Sequence, residues 1–211
     1  MFFKQISSGG DRNFSYLIAC DRTKFAVVVD PSPDPLKVVD EISEFGVRIL
    51  YVINTHSHVD HTSGNDYFKS KKGAEIVTFS GGDGDVNIGD GGILNVGDVT
   101  LKFIHTPGHT PDSICILTDE NLITGDTLFV GKVGGTYTEE DALAEFESLK
   151  RLIELPKTTK VWPGHDYGIS VSSTIENEKM TNPFIQRLND FNDFLWLKQN
   201  WASYKVEHGI K

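Results

Sequence analysis

Apolar and polar positions alternate in short blocks through the first half of the chain, and turn-forming residues separate the blocks. Phe14 to Ala19 and Phe25 to Val29 are rich in aromatic and β-branched side chains, and Asp21-Arg22-Thr23 between them reads as a hairpin turn. Pro31, Pro33 and Pro35 then end the hairpin, because proline cannot donate to a strand ladder. Leu36, Val39, Ile42 and Phe45 recur at helical spacing, and Gly46 stops that helix. Arg48 to Ile53 is nearly continuous in apolar residues, the pattern of a strand buried on both faces. The stretch from Ser63 to Lys71 reads as a helix that ends in a basic turn and Gly73. Further strands are expected over 75–79, 93–96, 99–104, 113–117, 121–124 and 160–162. The clearest helix runs from Glu139 to Ile153, acidic at its start and basic near its end. The last forty residues read as helical. Their stripe of Phe184, Leu188, Phe191, Phe194, Leu197 and Trp201 is expected to pack on the rest of the molecule. The class is α/β, with residues 1–170 as a catalytic body and 171–211 as a helical C-terminal extension packed on it.

Composition narrows the partners. The chain has 211 residues, 38% of them hydrophobic, and a formal net charge of -10. An acidic surface repels phosphate backbones, so nucleic acid is not an expected partner. No apolar run approaches the length of a membrane span. The opening Met1-Phe2-Phe3-Lys4-Gln5 lacks the basic and long apolar regions of a secretion signal, so a cytoplasmic location is expected. Cys20 and Cys115 sit in apolar stretches and are expected to be buried, reduced thiols. A monomer and a homodimer are both compatible with the sequence.

The candidate chemistry is concentrated in Thr55-His56-Ser57-His58-Val59-Asp60-His61, which places three imidazoles and a carboxylate within six residues, directly after an apolar strand. These are ligand types that suit zinc, iron and related divalent metals. His56 and His58 stand two apart and can converge on one ion, which leaves Asp60 and His61 for a second. The same context recurs three times more. Pro107-Gly108-His109, Thr124-Gly125-Asp126 and Pro163-Gly164-His165 each set a ligand beside a glycine after a short β-segment. Five of the seven histidines lie in such contexts. Of the others, His105 is expected to be a core or supporting histidine, and His208 to be solvated. The Asp- and Gly-rich stretch 81–92 invites a calcium-loop reading, but Ile88 and Leu94 stand where an EF-hand loop needs glycine and glutamate. It reads as a flexible surface loop.

His-x-His-x-Asp-His, Gly-His-Thr, Gly-Asp-Thr and Pro-Gly-His occur here in that order, and the chain resembles the metallo-β-lactamase superfamily over about residues 1 to 185. The resemblance implies a four-layer αββα sandwich with metals at the open edge between its sheets. It implies that His56, His58 and His109 bind one ion, that Asp60, His61 and His165 bind another, and that Asp126 bridges them, with Asp60 and Asp126 as catalytic carboxylates. Two ions about 3.5–4 Å apart lower the pKa of a shared water, polarise a carbonyl and stabilise its oxyanion. Zinc is the first expectation, with iron or manganese compatible with the same donors.

Within the superfamily, the secreted β-lactamases fit poorly, since they commonly place cysteine where this chain has Asp126. The segment Gly125 to Val130 resembles glyoxalase II, which hydrolyses glutathione thioesters. Leu50 to His56, His165-Asp166-Tyr167 and Val171 to Pro183 resemble the persulfide dioxygenases, which retain the same residues but use His56, His109 and Asp126 around a single Fe(II). Both families usually carry Gly-Cys-Gly followed by Arg or Lys after the bridging aspartate. Here Gly135 takes the basic residue's place and Lys132 comes three positions early. Tyr137 falls where glyoxalase II has a substrate-binding tyrosine. The expected substrate contacts are Lys132, Tyr137 and Tyr167, and the expected substrate is a small acyl-thioester or thiol-derived molecule. A persulfide oxygenation, an ester or lactone hydrolysis, and a binding-only domain are the alternatives.

Overall fold

The computed structural model of the chain describes residues 1–210, and strand alternation decides which layer each side chain joins. The first sheet runs in the order β1 (Phe2–Gly9), β2 (Asn13–Ala19), β3 (Phe25–Val29), β4 (Arg48–Ile53), β5 (Glu75–Phe79) and β6 (Val86–Ile88). The second runs β14 (Ser173–Thr174), β13 (Lys160–Pro163), β10 (Asn121–Gly125), β9 (Ile114–Thr118), β8 (Val99–His105) and β7 (Ile93–Val96). A separate small hairpin joins β11 (Leu128–Phe129) to β12 (Lys132–Val133). Phe14, Tyr16 and Ile18 of β2 point into the space between the sheets, where they meet Leu101, Phe103, Ile116 and Ile123. Leu17 and Ala19 of the same strand point the other way, into an outer layer with Val28 and Val52. Each inner strand therefore serves two cores, which is why β2 and β4 read as apolar runs rather than as a clean alternation.

Helices close both outer faces. On the first sheet, α1 (Pro35–Ser43) contributes Val38 and Ile42, and α3 (Asn65–Lys72) contributes Phe68. On the second, α4 (Glu139–Leu152) brings Phe146, Leu149 and Leu152. Beside it pack α5 (Ile175–Thr181), a 3-10 turn at Ile185–Arg187, and α6 (Phe191–Glu207) with Phe194 and Leu197. Burying one such side chain is worth about 1.5–3 kcal/mol. The helix starts are encoded locally. Asp34 accepts from the backbone of Leu36 and Lys37, and Thr138 and Asp141 form a reciprocal capping box at α4. Each cap contributes about 1 kcal/mol. The layers are thus the αββα sandwich that the resemblance implies. No helix among the described residues is long and apolar enough to cross a membrane. Cys20 and Cys115 are free and buried.

Besides the two-residue strands β11, β12 and β14, two strands depart from the sequence expectations, and both lie at edges of the first sheet. β1 mixes Lys4, Gln5 and Ser7 among its apolar residues and pairs only with β2. β6 lies inside the stretch expected to be a flexible loop and pairs only with β5. Asp85 just before it accepts from the Ile76 backbone at 3.0 Å and contacts Lys69, so that carboxylate is tied to β5 and α3.

The topology also sets where the site lies. β8 and β10 both run antiparallel to β9, and β13 runs parallel to β10, so their C-terminal ends open at one edge. The parallel pair β3 and β4 opens there too, and hydrogen bonds tie the sheets together at this edge. Ile114 N donates to Thr55 O, and Phe14 N donates to Gly164 O, both at 2.8 Å.

Candidate metal centre

Each predicted ligand leaves the C-terminal end of a strand. His56 and His58 follow β4, His109 follows β8, Asp126 follows β10, and His165 follows β13. Asp60 and His61 sit on the single-turn helix α2 (Val59–Thr62) that the motif itself forms. The structure brings the seven side chains into three overlapping groups whose ligand atoms lie within 4.8 Å of one another. These are His56/His58/His109, His56/His61/Asp126 and Asp60/His61/His165.

Hydrogen bonding behind the imidazoles fixes what faces inward. His109 Nδ1 donates to Gly135 O, and His165 Nδ1 donates to Asp11 O, both at 2.9 Å. His61 Nδ1 donates to the Asp30 carboxylate at 2.9 Å. The Thr55 hydroxyl gives its proton to Asp30 and therefore accepts from His56 Nδ1 at 3.1 Å. With those protons committed, the remaining ring nitrogens of His56, His61, His109 and His165 face inward. His61 Nε2 and His165 Nε2 are 3.2 Å apart, and His58 Nδ1 lies 3.0 Å from His56 Nε2 and 3.1 Å from His109 Nε2. Ring nitrogens this close are held by a cation between them, either a metal ion or the proton it displaces. Ligand bonds of about 2.0–2.1 Å in a tetrahedron give donor separations of about 3.3 Å, close to those seen. The donor set fits divalent ions.

Asp126 lies between the groups. Its Oδ2 is 3.6 Å from His109 Nε2 and 3.4 Å from His165 Nε2, while its Oδ1 is 3.5 Å from His61 Nε2. That Oδ1 is buried with no hydrogen-bond partner, as an oxygen awaiting a cation is. Burial alone raises the Asp126 pKa, but His165, His61 and His56 together outweigh burial and hold the carboxyl well below its ordinary range. Gly164 allows this approach, because a Cβ there would stand 2.3 Å from Asp126 Oδ1. Asp60 keeps 45% of its side chain exposed, and its Oδ2 accepts from Asn13 Nδ2 at 3.0 Å.

Asp30 and Asn13 were not singled out by sequence reasoning. Asp30 accepts from Thr55 N at 2.8 Å, from Thr55 Oγ at 2.7 Å and from His61, so one carboxylate holds both ends of the segment that carries four of the ligands. Its signal was positional, since it follows a strand next to β4, but the prolines after it drew the reading toward a turn. His105 stands outside the ligand groups. It stacks on Phe79 at 3.9 Å and bonds Pro111 O at 2.8 Å, bracing the turn that carries His109. His208 is exposed.

The expected substrate residues flank this centre. A cleft of about 460 Å³ is lined by Phe129, Lys132, Gly135, Tyr137, Tyr167 and Trp201. Tyr167 stacks on His165 at 4.6 Å, with Lys132 Nζ 4.5 Å and Arg12 Cζ 4.7 Å from its ring centroid. Tyr137 stands at the rim, 82% exposed.

The model of the metallo-beta-lactamase superfamily matches residues 8–82 and 74–165, and the chain belongs to that superfamily. Its relatives place it in the branch that holds hydroxyacylglutathione hydrolases and persulfide dioxygenases. The hydroxyacylglutathione hydrolase of Pelagibacter ubique is 35% identical over 166 residues, 74% of this chain and 67% of that protein. The human mitochondrial persulfide dioxygenase ETHE1 is 33% identical over 178 residues, 81% of this chain and 70% of that protein. Among solved structures, ETHE1 from Myxococcus xanthus superposes with a TM-score of 0.88 at 30% identity, covering 95% of this chain and 91% of that one.

Proposed function

We propose that the chain is a metal-dependent hydrolase that cleaves a small-molecule thioester. The doubled ligand set carries this reading. A centre for one ion at His56/His58/His109 leaves His61 Nε2 and His165 Nε2 in contact at 3.2 Å beside Asp60, a second set of donors that one ion does not use. A second ion accounts for that contact and for the unpartnered Asp126 oxygen. Zinc is the favoured ion, and iron or manganese suits the same donors. Bound ions supply hydroxide at neutral pH and polarise the thioester carbonyl. Asp126, ionised and buried, fixes the spacing of the two points. Asp60, almost half exposed, is the carboxylate that solvent reaches, and it takes the proton-transfer role.

The cleft beside His165 suits the thiol carrier. Lys132 and Arg12 flank Tyr167 and attract a carboxylate on that carrier, a charge-assisted contact in place of the cation missing at Gly135. Tyr137 contributes a rim contact. The second reading is a persulfide dioxygenase with one iron on His56, His109 and Asp126. It is favoured by the likeness of fold, since the Myxococcus xanthus ETHE1 structure superposes over 95% of this chain with a TM-score of 0.88. Metal analysis of protein purified without added metal, combined with an oxygen electrode, separates the two. Two ions per chain, with thioester cleavage and no oxygen uptake, support the hydrolase. One iron with stoichiometric oxygen consumption on a persulfide overturns it.

A further inference from the structure

Glu145 and Lys198 lie outside the ligand groups, yet they touch both segments that hold His109. Glu145, on α4, is completely buried, and the Lys198 side chain, on α6, is 9% exposed. The Lys198 ammonium contacts Glu145 Oε2 and also donates to Gly134 O at 2.8 Å. The next carbonyl along, Gly135 O, is the one that holds His109 Nδ1.

From the other side, the turn that carries His109 lies directly on Glu145. Gly108, at φ +143°, brings its α-carbon so close that a Cβ would stand 2.3 Å from Glu145 Cβ. Gly134 has as little room, since a Cβ there would lie 2.1 Å from Asp126 O and 3.1 Å from Glu145 Oε1. The pair is therefore wedged between the turn before His109 and the segment that follows Asp126. As a source of stability it is poorly arranged. Two buried charges carry a large desolvation cost, and Glu145 Oε1 has no hydrogen-bond partner. What it does well is fix positions.

We propose that the Glu145–Lys198 pair is a positioning device for His109, setting its imidazole through Gly108 on one side and through Gly134 and Gly135 on the other. The metal point at His56/His58/His109 then depends on helix α6, while the point at Asp60/His61/His165 does not. This rests on reading His109 as a ligand and is independent of which reaction the centre performs.

The test is titration of the metal-free full chain with cobalt(II), reading the visible absorption of each bound ion, in Lys198→Met and in the double variant Glu145→Gln/Lys198→Met. The expected result is an affinity about ten- to a hundredfold lower at one of the two points, with the other within about twofold of wild type. The double variant leaves no uncompensated charge, so it keeps the wild-type Tm and still shows the selective loss. It also serves as the test if Lys198→Met alone does not fold. Unchanged affinities at both points overturn the proposal. So does a loss shared equally by both points in step with Tm, which marks a merely structural pair. His109→Ala separates this from the ligand assignment itself, since that variant retaining both ions at full affinity would refute the assignment.

Discussion

The two groups of ligands share a residue type and differ in what stands behind it. In the first, His56 is backed by a hydroxyl and His109 by a carbonyl, both neutral. In the second, His61 is backed by the carboxylate of Asp30. The metal-free protein titrates accordingly. Burial pushes His56 well below its ordinary value and lowers His109. Burial opposes charge on His61 as well, but Asp30, helped by Asp126 and Asp60, outweighs it and lifts His61 to about 9. His165 is also raised, because Asp126 overcomes its burial. At neutral pH His56 and His109 offer bare lone pairs, while His61 holds a proton where a cation belongs. One centre thus contains a point open to metal and a point that must exchange a proton for it.

The largest effect belongs to Asp126, whose carboxylate lies between the two groups. Asp126→Ala is expected to lower turnover by at least about a thousandfold on either catalytic reading, because both points lose a donor. Steady-state assays of that variant settle the matter, and near-native turnover would mean that the centre is wrongly assigned. Next comes Asp30→Asn, which leaves His61 without its charged partner. Chelator-competition titration with zinc is expected to show an affinity about ten- to a hundredfold lower at the second group. The first group should change less, through Thr55 alone, and equal losses would erase the difference between the groups.

The pH dependence sharpens the same contrast. Protons compete at His61 below about 9, so second-group affinity is expected to climb between pH 6 and 9 and then level, a rise to which His56 and His109, with their lowered pKa values, do not contribute. The linked effect on folding has the opposite sense. A raised His61 pKa stabilises the metal-free fold fully below its unfolded value of about 6.5 and is lost as pH rises through about 9. That loss is at most about 3 kcal/mol, and thermal melts of chelated protein across this range measure it. A flat Tm would contradict the Asp30 argument. The smallest effect lies in the cleft. Lys132→Ala is expected to raise KM about tenfold for a thioester of a carboxylate-bearing thiol, with kcat unchanged, since one charge-assisted contact is lost. A thioester of a neutral thiol should show no such change.

What could be read from the chain follows from how local each signal is. The ligand motifs were legible because strand, glycine turn and donor lie side by side in sequence. The inner strands were legible because they are buried on both faces. β1 and β6 were not, since an edge strand needs only one partner and tolerates polar residues. Asp30 and the Glu145–Lys198 pair were missed for a different reason. Their partners lie 25 to 53 positions away, and nothing beside them in sequence announces the contact. The stretch from Gly131 to Tyr137 stood out only as a departure from a family pattern. The structure adds that Gly134 and Gly135 hold Lys198 and His109, while Lys132 and Arg12 are the cations beside Tyr167.

His61 and His165 meet across 104 positions of chain and come from opposite sheets. An ion held between them would act as a reversible crosslink that closes about half of the chain into one loop. It binds the native chain and not the unfolded one, so at a free-metal concentration a thousandfold above Kd it adds about 4 kcal/mol to folding stability. Metal supply then governs how long the protein lasts as well as whether it turns over. Chelation would remove that crosslink and leave the backbone bonds from Ile114 N to Thr55 O and from Phe14 N to Gly164 O to hold the sheets at this edge.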